Sequence, residues 1–385
     1  MQYDNQVTYG DIPFGLSLLS QLGEGNISIS PTSIRVALGM LYEGAKGETA
    51  RQISLATHLP EDASVRERGI RELTEALNAT TVPHTIRCAN GLWIAEQYPV
   101  NPEFKQTVRD NYRAEVNAAD FTGNPEKERA DINAWVGRKT EGKIPELFPE
   151  GSIDSLTRLV LANALYFKAQ WDNKFDPQYT QKQDFTLSNG ETVRVDMMRK
   201  GHIDSPWDLP TFRYGEFDGM QAALLPYQGK HLASLILLPP KGDSVKSMEA
   251  DLQESHSSLW DIIKELRLEE FARLEIPKHE VKGSFKLQAP LRVLGIERMF
   301  DSKAEFQGIG PEPLFVSEGF HQTYFKTDEE GSEGAAATGF IAKNLSMSRP
   351  RKPIEFVVDR PFLEAVIDNS TGALLFLNRI EDPQG

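Results

Sequence analysis

The chain has one cysteine, Cys88, in 385 residues. A single thiol excludes an intramolecular disulfide and removes the usual Cys-based metal sites. Long apolar runs are also missing: no stretch of about 18 apolar residues occurs, so no helix is expected to span a bilayer. Basic charge is in deficit. Lys and Arg number 42 against 56 Asp and Glu, a formal net charge of −14. That balance argues against broad nucleic-acid affinity and against anionic membrane as a partner. The N-terminal stretch MQYDNQVTYGDIPFG lacks the basic and apolar regions of a signal peptide. A cytosolic protein, or one whose leader is missing from this sequence, is the expectation.

Enzyme signatures are absent as well. There is no Gly-x-Ser-x-Gly elbow and no His-Glu-x-x-His helix. The seven histidines (58, 84, 202, 231, 256, 279 and 321) include no pair at ligand spacing. One near miss occurs. Gly137 to Lys143 has the spacing of a phosphate-binding loop, but Ile144 replaces the Ser/Thr that would bind magnesium, Pro145 follows, and a helix rather than a strand precedes it. We read it as accidental. No metal and no cofactor is expected. Cys88 lies in the alternating stretch TIRCANGLWIA and reads as a buried structural thiol.

What is present is unusual near the C-terminus. Residues 328–350 read DEEGSEGAAATGFIAKNLSMSRP. After the acids Asp328, Glu329 and Glu330, the run from Ser332 to Gly339 is almost entirely Ser, Gly, Ala and Thr. Such residues bury too little apolar area for a core strand, and a short turn does not need this length. They suit a segment that is exposed in one state and slides between two strands in another.

The length exceeds the usual limit of roughly 250–300 residues for one simple core, so two domains or one large composite fold are both compatible with it. Ser30-Pro31-Thr32-Ser33 starts a helix with proline at its first position. Glu61 to Ala79 reads as an amphipathic helix, Asn101-Pro102 opens another through Tyr112, and Lys127 to Arg138 gives one more. Residues 157–171 read as a strand in the middle of a sheet, and 220–240 as a hairpin turning at Gly229. Residues 271–287 alternate. Residues 354–380 read as two strands joined by Asn369 to Gly372. Helices early and strands late indicate α+β with segregated sheets.

In this order the pieces resemble the serpin family along nearly the whole chain. The resemblance is carried by NISISPTSIRVALGMLYEGAKGETARQI (26–53), NGLWIAEQYPVNPEF (90–104), Asn133-Ala134-Trp135-Val136 with Thr140 to Ile144, Asn163 to Lys168 ending at Trp171, and Phe356 to Phe362. One departure is Glu364, where the family usually has an apolar residue.

The resemblance implies one composite domain over 1–385, with about nine helices, three β-sheets and an exposed reactive-centre loop at about 329–353. It implies a suicide-substrate inhibitor of serine proteases rather than an enzyme: the loop is cleaved, inserts into the large sheet and traps the acyl-enzyme. By family spacing the hinge is Glu329, Gly331, Ser332, Glu333, Gly334, Ala335, Ala336 and Ala337. The scissile bond is Leu345–Ser346, with Met347–Ser348 and Arg351–Lys352 as alternatives. Ser30, Ser33, Asn163 and His321 match the buried polar shutter, Trp171 the breach where insertion begins, and Lys278 with Glu329 a salt bridge beside it. Strand periodicity then gives the inserting loop a neutral face (Ser332, Gly334, Ala336, Thr338, Phe340, Ala342) and one bearing Glu333 and Lys343. Leu345 suits chymotrypsin-, subtilisin- or elastase-like targets.

The partner implied is a serine protease, met by a monomer. The family favours an extracellular setting, with a cytoplasmic one as the alternative. A non-inhibitory carrier or chaperone is the second reading, and the small hinge residues count against it. A heparin-type site at Arg66, Arg68 and Arg71 is disfavoured, because Glu67, Glu72 and Glu75 interleave with them into a solvated face.

Overall fold

The computed structural model describes residues 5–78, 84–201, 209–254, 259–332 and 353–385. The N-terminal half contains α1 (Asp11–Leu19), β1 (Ile27–Ile29), α2 (Pro31–Gly44), α3 (Gly47–Thr57), α4 (Ala63–Leu77), β2 (His84–Ala95), α5 (Pro102–Tyr112), β3 (Glu115–Ala119), α6 (Pro125–Lys139) and β4 (Leu159–Gln170). The remainder is mostly strand. It comprises β5 (Gln181–Thr186), β6 (Thr192–Lys200), β7 (Thr211–Phe217), β8 (Met220–Pro226), β9 (Leu232–Leu238), α7 (Val245–Glu254), α8 (Leu259–Glu265), β10 (Arg267–Pro277), β11 (His279–Lys286), α9 (Gln288–Val293), β12 (Glu318–Thr327), β13 (Gly331–Ser332), β14 (Ile354–Val357), β15 (Phe362–Asp368) and β16 (Leu374–Ile380). The described residues thus hold nine α-helices.

Local chemistry sets the helix starts. The Ser30 hydroxyl accepts the Ser33 N–H at 3.2 Å with Pro31 at the first position of α2. Asp62 caps α4, and Asn101 with Pro102 opens α5. The false phosphate loop is the end of α6 and the turn after it, with Gly142 at φ +78°.

The strands form two assemblies. One, of six strands and corresponding to the large sheet of the resemblance, runs β11-β12-β4-β2-β3, with β13 added beside β4. The other runs β1-β16-β15-β9-β8-β7-β10-β6-β5, with β14 beside β10. The long strand β10 divides the second assembly: Arg267–Glu270 pair with β7 and Leu274–Pro277 with β6. Three sheets result, as the resemblance implies.

Strand β4 shows why its sequence is apolar throughout. Val160, Ala162 and Ala164 face α6, packing with Ile132, Val136 and Phe148. Leu159, Leu161, Leu165 and Phe167 face the main core. Small residues on one side and large ones on the other give a strand buried on both faces.

The alternating residues 271–287 belong to two strands in different sheets, because the chain crosses over at Lys278. Two sequence readings need correction. Residues 354–380 hold three strands, because β14 pairs parallel with β10 while β15 and β16 form the expected hairpin. Arg66 is not on a solvated face. It is buried, 2.9 Å from Glu43 and stacked over Tyr42.

Candidate functional site

The large sheet is open at one end. Strands β12 and β4 pair in parallel from Glu318↔Val160 to Tyr324↔Tyr166. Beyond Tyr166, β4 pairs instead with the hinge: Ser332 lies opposite Ala169 and Gly331 opposite Gln170. The start of the small-residue segment is therefore already seated as the first rung of a strand. Ser332 is buried, and its hydroxyl lies 2.8 Å from the Tyr227 phenol. Tyr227 stacks on Trp171 with ring centroids 4.5 Å apart. The Trp171 indole N–H donates to the Asp328 carbonyl at 2.9 Å, and its backbone N–H to the Glu330 carbonyl. Glu329 accepts from Lys278 at 2.8 Å and from the Thr180 hydroxyl at 2.8 Å. Burial opposes ionisation of Glu329, but these two donors outweigh it and hold its carboxyl below the usual range.

Gly331 shows how tight this seat is. Its φ is +148°, and a Cβ there would stand 2.1 Å from the Ala169 carbonyl oxygen. Gly331→Val should therefore expel Gly331 and Ser332 from the sheet. The expected result is faster proteolytic nicking at the hinge with an unchanged far-UV spectrum. Wild-type nicking rates would contradict the docked geometry.

Asn90, Asn163 and His321 form a polar rung across three strands. Asn90 of β2 and His321 of β12 both lie directly opposite Asn163 of β4. The Asn163 amide donates to the Ser33 carbonyl at 2.9 Å and the Ser33 hydroxyl at 2.7 Å, and also to Asn90. His321 Nε2 accepts the Ser30 backbone N–H at 3.0 Å, so Nδ1 carries the proton and donates to Asn163 Oδ1. The Cys88 sulfur fills the end of the rung against Ser33 and Asn90, and burial pushes its thiol up to about 11.

Burial pushes His321 down to about 3. Protonation at Nε2 would also set two N–H groups against each other. A histidine held neutral in the fold contributes stability above its ordinary value near 6.5, and loses it as pH falls toward about 3. The full loss is on the order of 5 kcal/mol at about 1.4 kcal/mol per pH unit. The apparent urea midpoint should fall through that window in the wild type and less steeply in His321→Gln. Equal slopes would remove the assignment.

Glu364 is buried in β15 beside other polar groups. It accepts the Ser234 hydroxyl at 2.6 Å and faces His279 Nε2 at 2.8 Å. The departure from the family pattern is thus a second polar cluster, bordering the hinge through Tyr227.

Comparison with known proteins decides the family. The model for Serpin (serine protease inhibitor) matches residues 13–383. The chain is a serpin. It is 37% identical over 389 residues to leukocyte elastase inhibitor of Bos taurus, covering 98% of this chain and 100% of that protein. It is 36% identical to a serpin-like protein of Thermococcus kodakarensis, covering 93% of this chain and 81% of that one. Among solved structures, Serpin48 of Tenebrio molitor superposes with a TM-score of 0.85 at 27% identity, covering 99% of both chains. Human thyroxine-binding globulin, solved as a complex with thyroxine, gives a TM-score of 0.83 at 26% identity over 98% of this chain and 99% of that one.

The structure brings Ser30, Ser33, Asn163 and His321 together, and places Trp171, Lys278, Glu329, Gly331 and Ser332 around the open end of the sheet. Glu333, Gly334, Ala335, Ala336, Ala337, Leu345 and Ser346 lie outside the described residues. Sequence reading missed Tyr227, Thr180 and Asn90. Only Asn90 carried a signal, as the polar residue that opens the run NGLWIA at the end of β2. No described helix is long and apolar enough to cross a membrane. The relatives lend no support to the extracellular setting.

Proposed function

We propose that this serpin is a single-domain, monomeric suicide-substrate inhibitor of a serine protease with an apolar primary pocket, and that it needs no cofactor. The observation that carries the reading is the hinge seated in the large sheet, with Ser332 opposite Ala169 and the seam between β4 and β12 aligned to receive the rest of the loop.

The protease serine attacks the Leu345 carbonyl. The Leu345–Ser346 bond breaks, the new amine of Ser346 leaves with a proton from the protease's own base, and an ester joins Leu345 to the protease. Water would complete turnover. Insertion of the loop competes with it: residues after Ser332 zip between β4 and β12, carry the protease away and distort its site before hydrolysis. The serpin supplies no catalytic group and turns over no substrate. The mammalian relatives named for leukocyte elastase fit the apolar Leu345.

Incubation with chymotrypsin, elastase, subtilisin and trypsin is the direct test. A complex that survives boiling in detergent should form with apolar-specific enzymes, with cleavage after Leu345 by mass spectrometry. Clean turnover by all of them would overturn the reading. It would favour a carrier, a role for which thyroxine-binding globulin shows the fold is suited.

A further inference from the structure

Away from the hinge, a cavity of about 410 Å³ lies between α7, α8 and the turn that joins β7 to β8. That volume falls within the range of small-molecule sites. The turn is tight: Phe217 pairs with Met220, and Asp218 and Gly219 between them have φ of +49° and +86°. The floor of the cavity is apolar. Met248 and Leu252, four residues apart on α7, line it with Met220 and with Ile262 of α8, and all four are buried. Half-buried Phe217 and Pro240 form its walls. The unbranched thioethers of the two methionines adapt to ligands of varied shape. Nothing here serves loop insertion. Met220 and Tyr227 stand at opposite ends of β8, roughly 20 Å apart at the rise of a strand.

The rim is acidic. Asp218 of the turn, Asp243 before α7, Asp251 on α7 and Glu265 on α8 all line the cavity and are exposed. Among the described residues none of these four carboxylates pairs with a basic side chain. Each helix has a single lysine, and both are engaged: Lys246 with Glu24 at 3.0 Å and Lys264 with Asp261 at 2.8 Å. Asp261 and Glu265 also stand four apart on α8, a spacing at which like charges repel. A cleft lined by one sign of charge over low-dielectric walls focuses its field on whatever enters.

We propose that this cleft binds a small amphiphilic cation, a protonated amine carrying an aromatic or alkyl body. The body rests on Met220, Met248, Leu252 and Ile262. The ammonium lies at the rim, among the carboxylates and beside the Phe217 ring, whose face attracts cations. Other occupants fit less well. A bare metal ion needs several oxygens converging on one point, and among the described residues no three of His, Cys, Asp and Glu do so. An anion is repelled by the rim. A protein partner needs a footprint of about 1,000 Å², yet none of the large apolar side chains that stand exposed lines this cleft. The inference holds whether or not the chain inhibits a protease.

The test titrates the full chain with dansylcadaverine, a fluorescent primary amine, and separately with dansyl-6-aminohexanoate, the same fluorophore with a carboxylate head. Emission of the amine should rise and shift to the blue, and the carboxylate should bind at least about tenfold more weakly. Asp251→Asn combined with Glu265→Gln removes two exposed charges without touching the core. It should weaken the amine about three- to tenfold, the range for two exposed ion pairs, and spare the carboxylate. Ser247 lines the cleft from an exposed position, so Ser247→Trp should fill it and block both probes. Methyl resonances of Met220 and Met248 should move with the amine while those of the other methionines stay in place. No blue shift at millimolar amine would overturn the site. So would equal affinity for the two heads, an unchanged affinity in the double variant, or shifts spread over all the methionines. Displacement of the amine by calcium at constant ionic strength would assign the rim to a metal ion and overturn the organic cation.

Discussion

Cleavage of the loop between Gly339 and Leu345 should raise the melting temperature, by about 20 °C or more. A nick ordinarily destabilises, because it frees chain entropy in the unfolded state. On the proposed mechanism the nick releases a strand. Insertion parts the seven parallel residue pairs that join β12 to β4, and builds one ladder on each side of the newcomer. One extra ladder of roughly a dozen residues remains, each hydrogen bond contributing about 0.5–1.5 kcal/mol net, so the gain is on the order of 10 kcal/mol. That is comparable to the whole stability of an ordinary domain. At about 2–4 °C per kcal/mol for a large chain, the shift is far outside error.

On the proposed mechanism the uncleaved fold is a kinetic trap, and the barrier to insertion includes parting β12 from β4 past the Asn163–His321 contact. Thermal scans of intact and loop-cleaved protein at one pH and salt decide the matter. Equal melting temperatures would leave the serpin fold in place and remove the inhibitory mechanism.

How far the sequence reached depended on how local each signal is. Helices α2, α4 and α5 were legible because their caps and periodicity lie within a few residues of one another. Strand β4 was legible because burial on both faces leaves an unbroken apolar run. Strands β10 and β11 could not be separated, since both alternate and the change of sheet at Lys278 is a tertiary event. The pairing of His279 with Glu364 depends on register between strands 85 residues apart in sequence. Tyr227 carried no local mark at all, yet it is the residue on which Ser332 rests.

Ser332→Arg tests that resting place and should have the largest effect on inhibition. Ser332 is 1% exposed, facing the Tyr227 ring on the core side of the sheet. Its hydroxyl meets the neutral Tyr227 phenol, and Glu364, deeper in the core, is engaged by Ser234 and His279. Burying an unpaired guanidinium costs several kcal/mol, and the cost falls on the first rung of the strand. The arginine will therefore stay outside, the hinge will leave the sheet, and insertion will have to pass over that step while deacylation proceeds unhindered.

At about 1.4 kcal/mol per tenfold, a penalty of about 3 kcal/mol slows insertion roughly a hundredfold. The variant should be cut after Leu345 at the normal rate but form little covalent complex. Ser332→Ala gives the graded control. It loses the one hydrogen bond to the Tyr227 hydroxyl and should raise the stoichiometry only severalfold. Retention of wild-type stoichiometry by the arginine variant would mean that Ser332 does not enter the sheet as the inserting loop advances, and that the two loop faces have been exchanged.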